Sequence, residues 1–180
     1  TSTVWEPSLA VDANGGLVTY FSDERQKANG VLQAVSYRRS SDGGLTWGGV
    51  VNVSAPTNRS DRPGMITVTR IPNGNYVATF EVVNRPSQTN NTAPVYFKVS
   101  PDGLNWSPET SIGTKIALAD GRGVGSSPEV RWVPTAGNAN GMIVVSSKWS
   151  LDSAGNTDGG QNFAFTRTPG SGERGRAPSR

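Results

Sequence analysis

The chain has 180 residues and a formal net charge of +3, a length that suits one domain with a real buried core. It contains neither cysteine nor histidine, which excludes disulfides, thiolate nucleophiles, zinc sites of the usual kind and any Ser-His-Asp triad. No basic stripe interleaved with aromatics points to nucleic acid, and no apolar run has membrane length.

From the N-terminus, short β-rich runs follow one another. They are "GLVTYFS" (16–22), "VLQAVSYRR" (31–39), "MITVTRI" (65–71), "NYVATFEVV" (75–83), "VYFKVS" (95–100), "MIVVSSK" (142–148) and "NFAFTR" (162–167). Turn residues end each run; the chain holds 22 glycines and 12 prolines to make such turns. Helical periodicity is nearly missing, so the expected class is all-β.

The runs repeat. "EPSLAVDANGGLVTYFS" (6–22) lines up with "RPGMITVTRIPNGNYVATFE" (62–81), and "SPEVRWVPTAGNANGMIVVSS" (127–147) is a looser third copy. Each copy opens on X-Pro, runs through a strand, turns at Asn-Gly and enters a second strand. Asn14-Gly15 matches Asn73-Gly74, with Asn140-Gly141 as the third candidate; both residues of the pair tolerate positive φ, which makes it a hairpin signal. A third strand, a Ser-x-Asp cluster and a short fourth strand follow. The cluster aspartates Asp42 and Asp102 lie 60 residues apart. Four antiparallel strands per repeat of this length is the signature of a β-propeller blade. Residues 1–167 are therefore expected to form about three blades (about 4–54, 62–113 and 126–167). Closed propellers use about four to eight, so an open edge should follow the third blade and invite self-association. The basic, low-complexity tail at 168–180 is not expected to be ordered. The chain begins at Thr1 rather than Met and reads as a processed or excised piece.

The clusters themselves are "SSDGGLTW" (40–47) and the shorter "SPDGLNW" (100–106). The serine and aspartate can bond the backbone of a tight loop, the glycines supply positive φ, and the tryptophan folds back to plug the blade. The first cluster resembles the Asp-box (BNR) motif, S/T-x-D-x-G-x-x-W, of the sialidase superfamily of six-bladed propellers; the second is one residue short. In that superfamily these loops lie outside the propeller, away from the active site. The resemblance makes Ser40, Asp42, Gly44, Trp47, Ser100, Asp102 and Trp106 structural, and makes the chain about half of such a propeller.

Functional positions in a repeat array vary while their neighbours persist. The residues before the repeated prolines are Glu6, Arg62 and Ser127, with Asp61 and Ser126 one step earlier. The ends of the second strands carry Ser22 with Asp23, Glu81, and Ser147 with Lys148. Glu81 interrupts an otherwise apolar strand. A strand-end glutamate facing solvent is the bland alternative for Glu81, and a pre-proline residue held extended is the bland alternative for Glu6. Two carboxylates on neighbouring blades are what a glycosidase needs.

"VWEPSLAVDANGGLVTYFSDERQ" followed by "RPGMITVTRIPNGNYVATFE" resembles the exo-1,5-α-L-arabinanases of glycoside hydrolase family 93. The shared features are a Trp-Glu-Pro opening, a Ser-Asp-x-Arg strand end, and Arg-Pro-Gly-Met followed by an aromatic-Glu. The resemblance covers residues 4 to 150. It implies Glu6 and Glu81 as the catalytic carboxylates. Arg62, Asp61, Ser127, Asp23, Arg25, Trp5 and Tyr20 would bind substrate or brace the pocket, although Trp5 and Tyr20 fit a core role equally. A sialidase is the runner-up, but a sialidase needs an arginine triad, and "TRIPNG" (69–74) sits inside a strand-turn unit. A non-catalytic carbohydrate-binding propeller, or an inactive fragment, is the reading outside the enzyme class. The carbohydrate-binding propeller gives no reason for both glutamates.

No metal or organic cofactor is implied, because the carboxylates form no spaced calcium loop. The expected partner is an oligo- or polysaccharide, without nucleic acid or membrane. Sequons at Asn52, Asn58, Asn90 and Asn105, with the cleaved-looking start, favour a secreted protein.

Overall fold

The structure is a computed structural model, and it describes residues 3–58, 60–83 and 92–167, with side chains described as far as residue 157. The tail at 168–180 and Asn90 lie outside the described residues.

Twelve strands lie among the described residues. The first sheet is β1 (Val4–Val11), β2 (Leu17–Asp23), β3 (Ala34–Ser40) and β4 (Val51–Ser54), paired in that order. The second is β5 (Arg62–Arg70), β6 (Tyr76–Val83), β7 (Val95–Ser100) and β8 (Thr114–Lys115), again in order. The third sheet runs β10 (Glu129–Thr135), β11 (Asn138–Leu151) and β12 (Thr157–Arg167), and β9 (Gly123–Gly125) pairs with the far end of β11. All ladders are antiparallel. The only helix among the described residues is one 3-10 turn, Lys27–Asn29. These are three successive propeller blades.

The core lies between blades. Val18, Tyr20, Val35 and Tyr37 of blade 1 pack on Ile66, Val68, Tyr76, Phe80 and Trp106 of blade 2. Ile71, Val77 and Val95 of blade 2 pack on Val124, Val130 and Val145 of blade 3. Strand β6 shows why its sequence hides the period of two. Tyr76, Ala78, Phe80 and Val82 point to blade 1, while Val77 points to blade 3. A strand buried on both faces reads as a continuous apolar run.

Two hairpins follow the expected turns. In the β1–β2 loop Gly15 has φ +81°, and Asp12 Oδ1 accepts the N–H groups of Asn14 (2.7 Å) and Gly16 (3.0 Å). Gly74 does the same work between β5 and β6 with φ +90°. The third expectation is corrected. Thr135 pairs with Asn138, so the chain turns at Ala136-Gly137, and Asn140-Gly141 lies inside β11. There Asn140 O accepts the Trp132 indole N–H (2.9 Å), and a Cβ at Gly141 would meet that ring at 2.5 Å. The glycine makes room for the ring.

The two cluster loops are built alike. Ser40 Oγ accepts the Gly44 N–H (2.8 Å), Asp42 accepts from Thr46 and Ser40, and the Trp47 indole N–H reaches Gly44 O (3.1 Å). In the second loop Ser100 Oγ accepts the Gly103 N–H (3.0 Å), Asp102 accepts from Leu104 and Asn105, and Trp106 reaches Gly103 O (3.1 Å). Their settings differ. Blade 1 covers the second loop: Tyr20 Oη donates to Gly103 O (2.6 Å), Tyr37 Oη to Leu104 O (2.9 Å), and Trp106 is 2% exposed. Nothing described covers the first loop, where Trp47 is half-buried and Leu45 is 86% exposed. Trp47 therefore plugs its blade only in part.

The uncovered side is apolar. Of the eight exposed large hydrophobic side chains among the described residues, seven belong to blade 1: Val4, Trp5, Leu9, Val11, Leu45, Val50 and Val51. Leu9 occupies the place that buried Val68 holds in blade 2.

Candidate active site

The innermost strands β1, β5 and β10 stand side by side and enclose a cleft of about 580 Å³. Glu6, Met65 and Ser127 all line it. They are also three of the five described non-glycine residues with positive φ, at +57°, +54° and +47°. Left-handed backbone at such residues costs about 1 to 3 kcal/mol each and clusters at functional sites.

The pairing registers explain the coincidence. Trp5 pairs with Ser22 and Ser8 with Tyr20; Gly64 pairs with Glu81 and Thr67 with Thr79. In both blades an irregularity falls between those pairs. Glu6 and Met65 occupy it in equivalent places, and Ser127 follows suit ahead of the Glu129–Ser146 pair. This corrects the sequence alignment by proline. Arg62 stands three residues before the place equivalent to Glu6, because Pro63 lies upstream of the bulge while Pro7 and Pro128 lie just after the strained residue. Met65 is the residue that sequence reasoning missed.

Hydrogen bonds join the blades at these points. Glu6 Oε2 accepts the Ser22 hydroxyl (2.7 Å) and the Met65 N–H (3.1 Å). Glu81 Oε2 accepts the Ser127 N–H (2.9 Å), and Ser127 Oγ donates to Met65 Sδ (3.3 Å). Glu6 faces the cleft directly, whereas Glu81 reaches its lining through Ser127.

The other predicted residues divide. Asp23 is buried, and Arg25 grips both its oxygens through Nε (2.9 Å) and Nη2 (2.8 Å). Burial pushes the Asp23 carboxyl up, but the bonds from Arg25 outweigh it and hold the group below the usual carboxylate range. This pair braces the end of β2. Arg62 donates to Glu24 Oε1 (3.0 Å), and Lys27 closes on the other oxygen (2.7 Å). Arg62 thus ties blade 2 to blade 1 and does not line the cleft. Asp61 is buried and accepts the Asn58 amide (2.9 Å). Trp5 is 43% exposed beside Glu6. Tyr20 is fully buried with its hydroxyl on Gly103 O, so its role is core packing, not substrate contact. Among the described residues no three His, Cys, Asp or Glu side chains are grouped to hold a metal.

No protein-family model and no curated protein sequence matches the chain. Solved structures do. The α-L-arabinofuranosidase of glycoside hydrolase family 93 from Fusarium graminearum, in complex with arabinobiose, matches with a TM-score of 0.79 and 27% identity, over 97% of this chain and 45% of that one. The Penicillium chrysogenum α-L-arabinanase, also complexed with arabinobiose, matches with a TM-score of 0.77 and 30% identity, over 96% and 44%. A leech intramolecular trans-sialidase shares the fold alone, with a TM-score of 0.51 and 16% identity over 87% of this chain and 19% of that one. The chain spans about 45% of the length of the arabinan-degrading structures that it matches. It is thus about half of a β-propeller, similar in fold and in sequence to the propellers of glycoside hydrolase family 93.

Proposed function

We propose that the chain carries the reacting carboxylates of a secreted glycoside hydrolase that is exo-acting on α-1,5-linked L-arabinan, with Glu6 and Glu81 as the pair. The observation that carries this reading is Glu6: a strained carboxylate on the inner strand of a blade, lining the cleft, beside a second blade whose Glu81 holds the next strained residue. The likeness to two arabinobiose-bound structures supports the sugar class. One glutamate would protonate the leaving oxygen while the other serves as nucleophile or as base for water. Arg62 argues against the sialidase alternative, since an arginine already paired with Glu24 is a poor partner for a sialic acid carboxylate. The engagement of Glu81 by Ser127 supports one second reading, a propeller that binds the sugar without turning it over.

The test is release of reducing sugar from linear α-1,5-arabinan, with arabinobiose binding followed by calorimetry. The expected result is hydrolysis by the chain and its loss in Glu6→Gln and in Glu81→Gln, with binding retained. Binding without hydrolysis supports the second reading. Absence of both overturns the reading that this half-propeller by itself acts on arabinan.

A further inference from the structure

We infer that Ser22 is a positioning residue that fixes the carboxylate of Glu6, a role that rests on the reading of Glu6 as a reacting group. Ser22 is the next-to-last residue of strand β2 and is fully buried. Its hydroxyl does two things at once. It donates to Glu6 Oε2 at 2.7 Å and accepts the Met65 N–H at 3.1 Å. The Met65 N–H also reaches Glu6 Oε2 at 3.1 Å, which closes a triangle of three groups from two blades. One oxygen of Glu6 is thereby held by two donors. Among the described residues no donor engages Oε1, which leaves that oxygen for the cleft.

The repeat shows why a serine stands here. In the next blade the equivalent residue is Glu81, and it accepts the N–H of the next strained residue, Ser127. The device is the same: a side chain at the end of the second strand catches the left-handed residue of the following blade. A short hydroxyl does this while leaving space for the Glu6 carboxylate, and its own proton turns toward that carboxylate. A glutamate at residue 22 would instead set a second negative charge against Glu6. Gly64 completes the arrangement. A Cβ there would meet Gln33 Nε2 at 2.5 Å and Ser22 Oγ at 3.4 Å, and the Gln33 amide is anchored on Pro63 O (2.7 Å). Without a side chain at Gly64, β5 comes close enough to deliver the Met65 N–H.

Holding a reacting group in place acts on turnover more than on binding, and a shift of about 1 Å costs roughly 10²-fold. The test compares Ser22→Ala, which removes the hydroxyl, with Ser22→Thr, which keeps it. Two readouts are taken on the same proteins: kcat and KM on arabinan, and the side-chain couplings of Glu6 by NMR with labelled glutamate. In Ser22→Ala kcat should fall on the order of 10²-fold with KM nearly unchanged, and Glu6 should average over rotamers. Ser22→Thr should restore both. If Ser22→Ala leaves the Glu6 couplings of the unmodified chain intact, the positioning role is wrong whatever happens to activity. If the unmodified chain shows no hydrolysis but Glu6 still loses its fixed rotamer in Ser22→Ala, the positioning stands and the enzymatic reading of Glu6 is what fails.

Discussion

Glu81 has two oxygens, and one is committed to the Ser127 N–H. A catalytic and a structural role therefore meet in one side chain, and two substitutions separate them. Glu81→Gln keeps an acceptor for Ser127 and removes the charge, so it should abolish turnover with an unchanged melting temperature. Glu81→Ala removes both and should also lose about 1 kcal/mol of stability, read as a lowered denaturation midpoint. If the two substitutions destabilise equally, the hydrogen bond to Ser127 carries no weight. At this scale the sequence was only partly legible. Glu81 stood out because it interrupts an apolar strand, and Glu6 because it sits at a repeat position whose chemistry varies. Met65 did not, since a thioether carries no signature of chemistry and its left-handed φ belongs to the bulge; Ser22 stood out only as a varying strand-end position, with no role attached. Tyr20 was ambiguous because an aromatic ring suits a core and a sugar equally; its hydroxyl on Gly103 O decides the matter.

The elements were more legible. Alternating and apolar runs located the strands, and Ser-x-Asp spacing marked both loops before β4 and β8. What the spacing could not show is which loop is covered. Trp106 is buried against Tyr20 with ring centroids 6.1 Å apart, whereas Trp47 is half-buried. Trp106→Ala should therefore cost about 3 to 5 kcal/mol, and Trp47→Ala distinctly less, both measured by urea denaturation. Asp42 has an exposed carboxylate held well below the usual range by the Thr46 hydroxyl, the Thr46 N–H and Ser40. Its substitution by alanine should loosen the loop and leave arabinobiose affinity unchanged; loss of affinity without loss of stability would contradict a structural loop. The third hairpin was misread because Asn140-Gly141 carries the usual turn pair, yet Gly141 is needed under the Trp132 ring and Ala136-Gly137 makes the turn.

For the whole molecule, one buried lysine sets a pH dependence. Lys98 of blade 2 donates to Val53 O of blade 1 (2.8 Å) and to Pro108 O (2.7 Å). Burial pushes its amine down to about 8, against a smaller opposing pull from Glu109. A base depressed in the fold and ordinary when unfolded penalises the folded state while both forms are charged. That penalty is full below pH 8 and lifts as pH rises toward 10.5. Stability should therefore climb across that window by up to roughly 3 kcal/mol. Lys98→Met should flatten the climb relative to the parent chain, and an identical slope in the two proteins would remove Lys98 as its source.

The apolar side of blade 1 also carries an expectation about how copies of the molecule would pair. Leu9 and Leu45 stand open on one flank. The opposite flank, on the face of β10 turned away from Val130, carries the Glu129–Arg131 ion pair (2.8 Å). Head-to-tail contact would press hydrocarbon onto this ion pair, and it makes a ring where its rotation closes and a filament where it does not. Like flank on like flank is a twofold contact, and a twofold contact is satisfied at two. Light scattering at rising concentration should therefore level off at the mass of a pair, and Leu9→Lys with Leu45→Glu should return it to one chain. A pair joined through the apolar flank of blade 1 would have that flank covered on both copies, and growth would stop there.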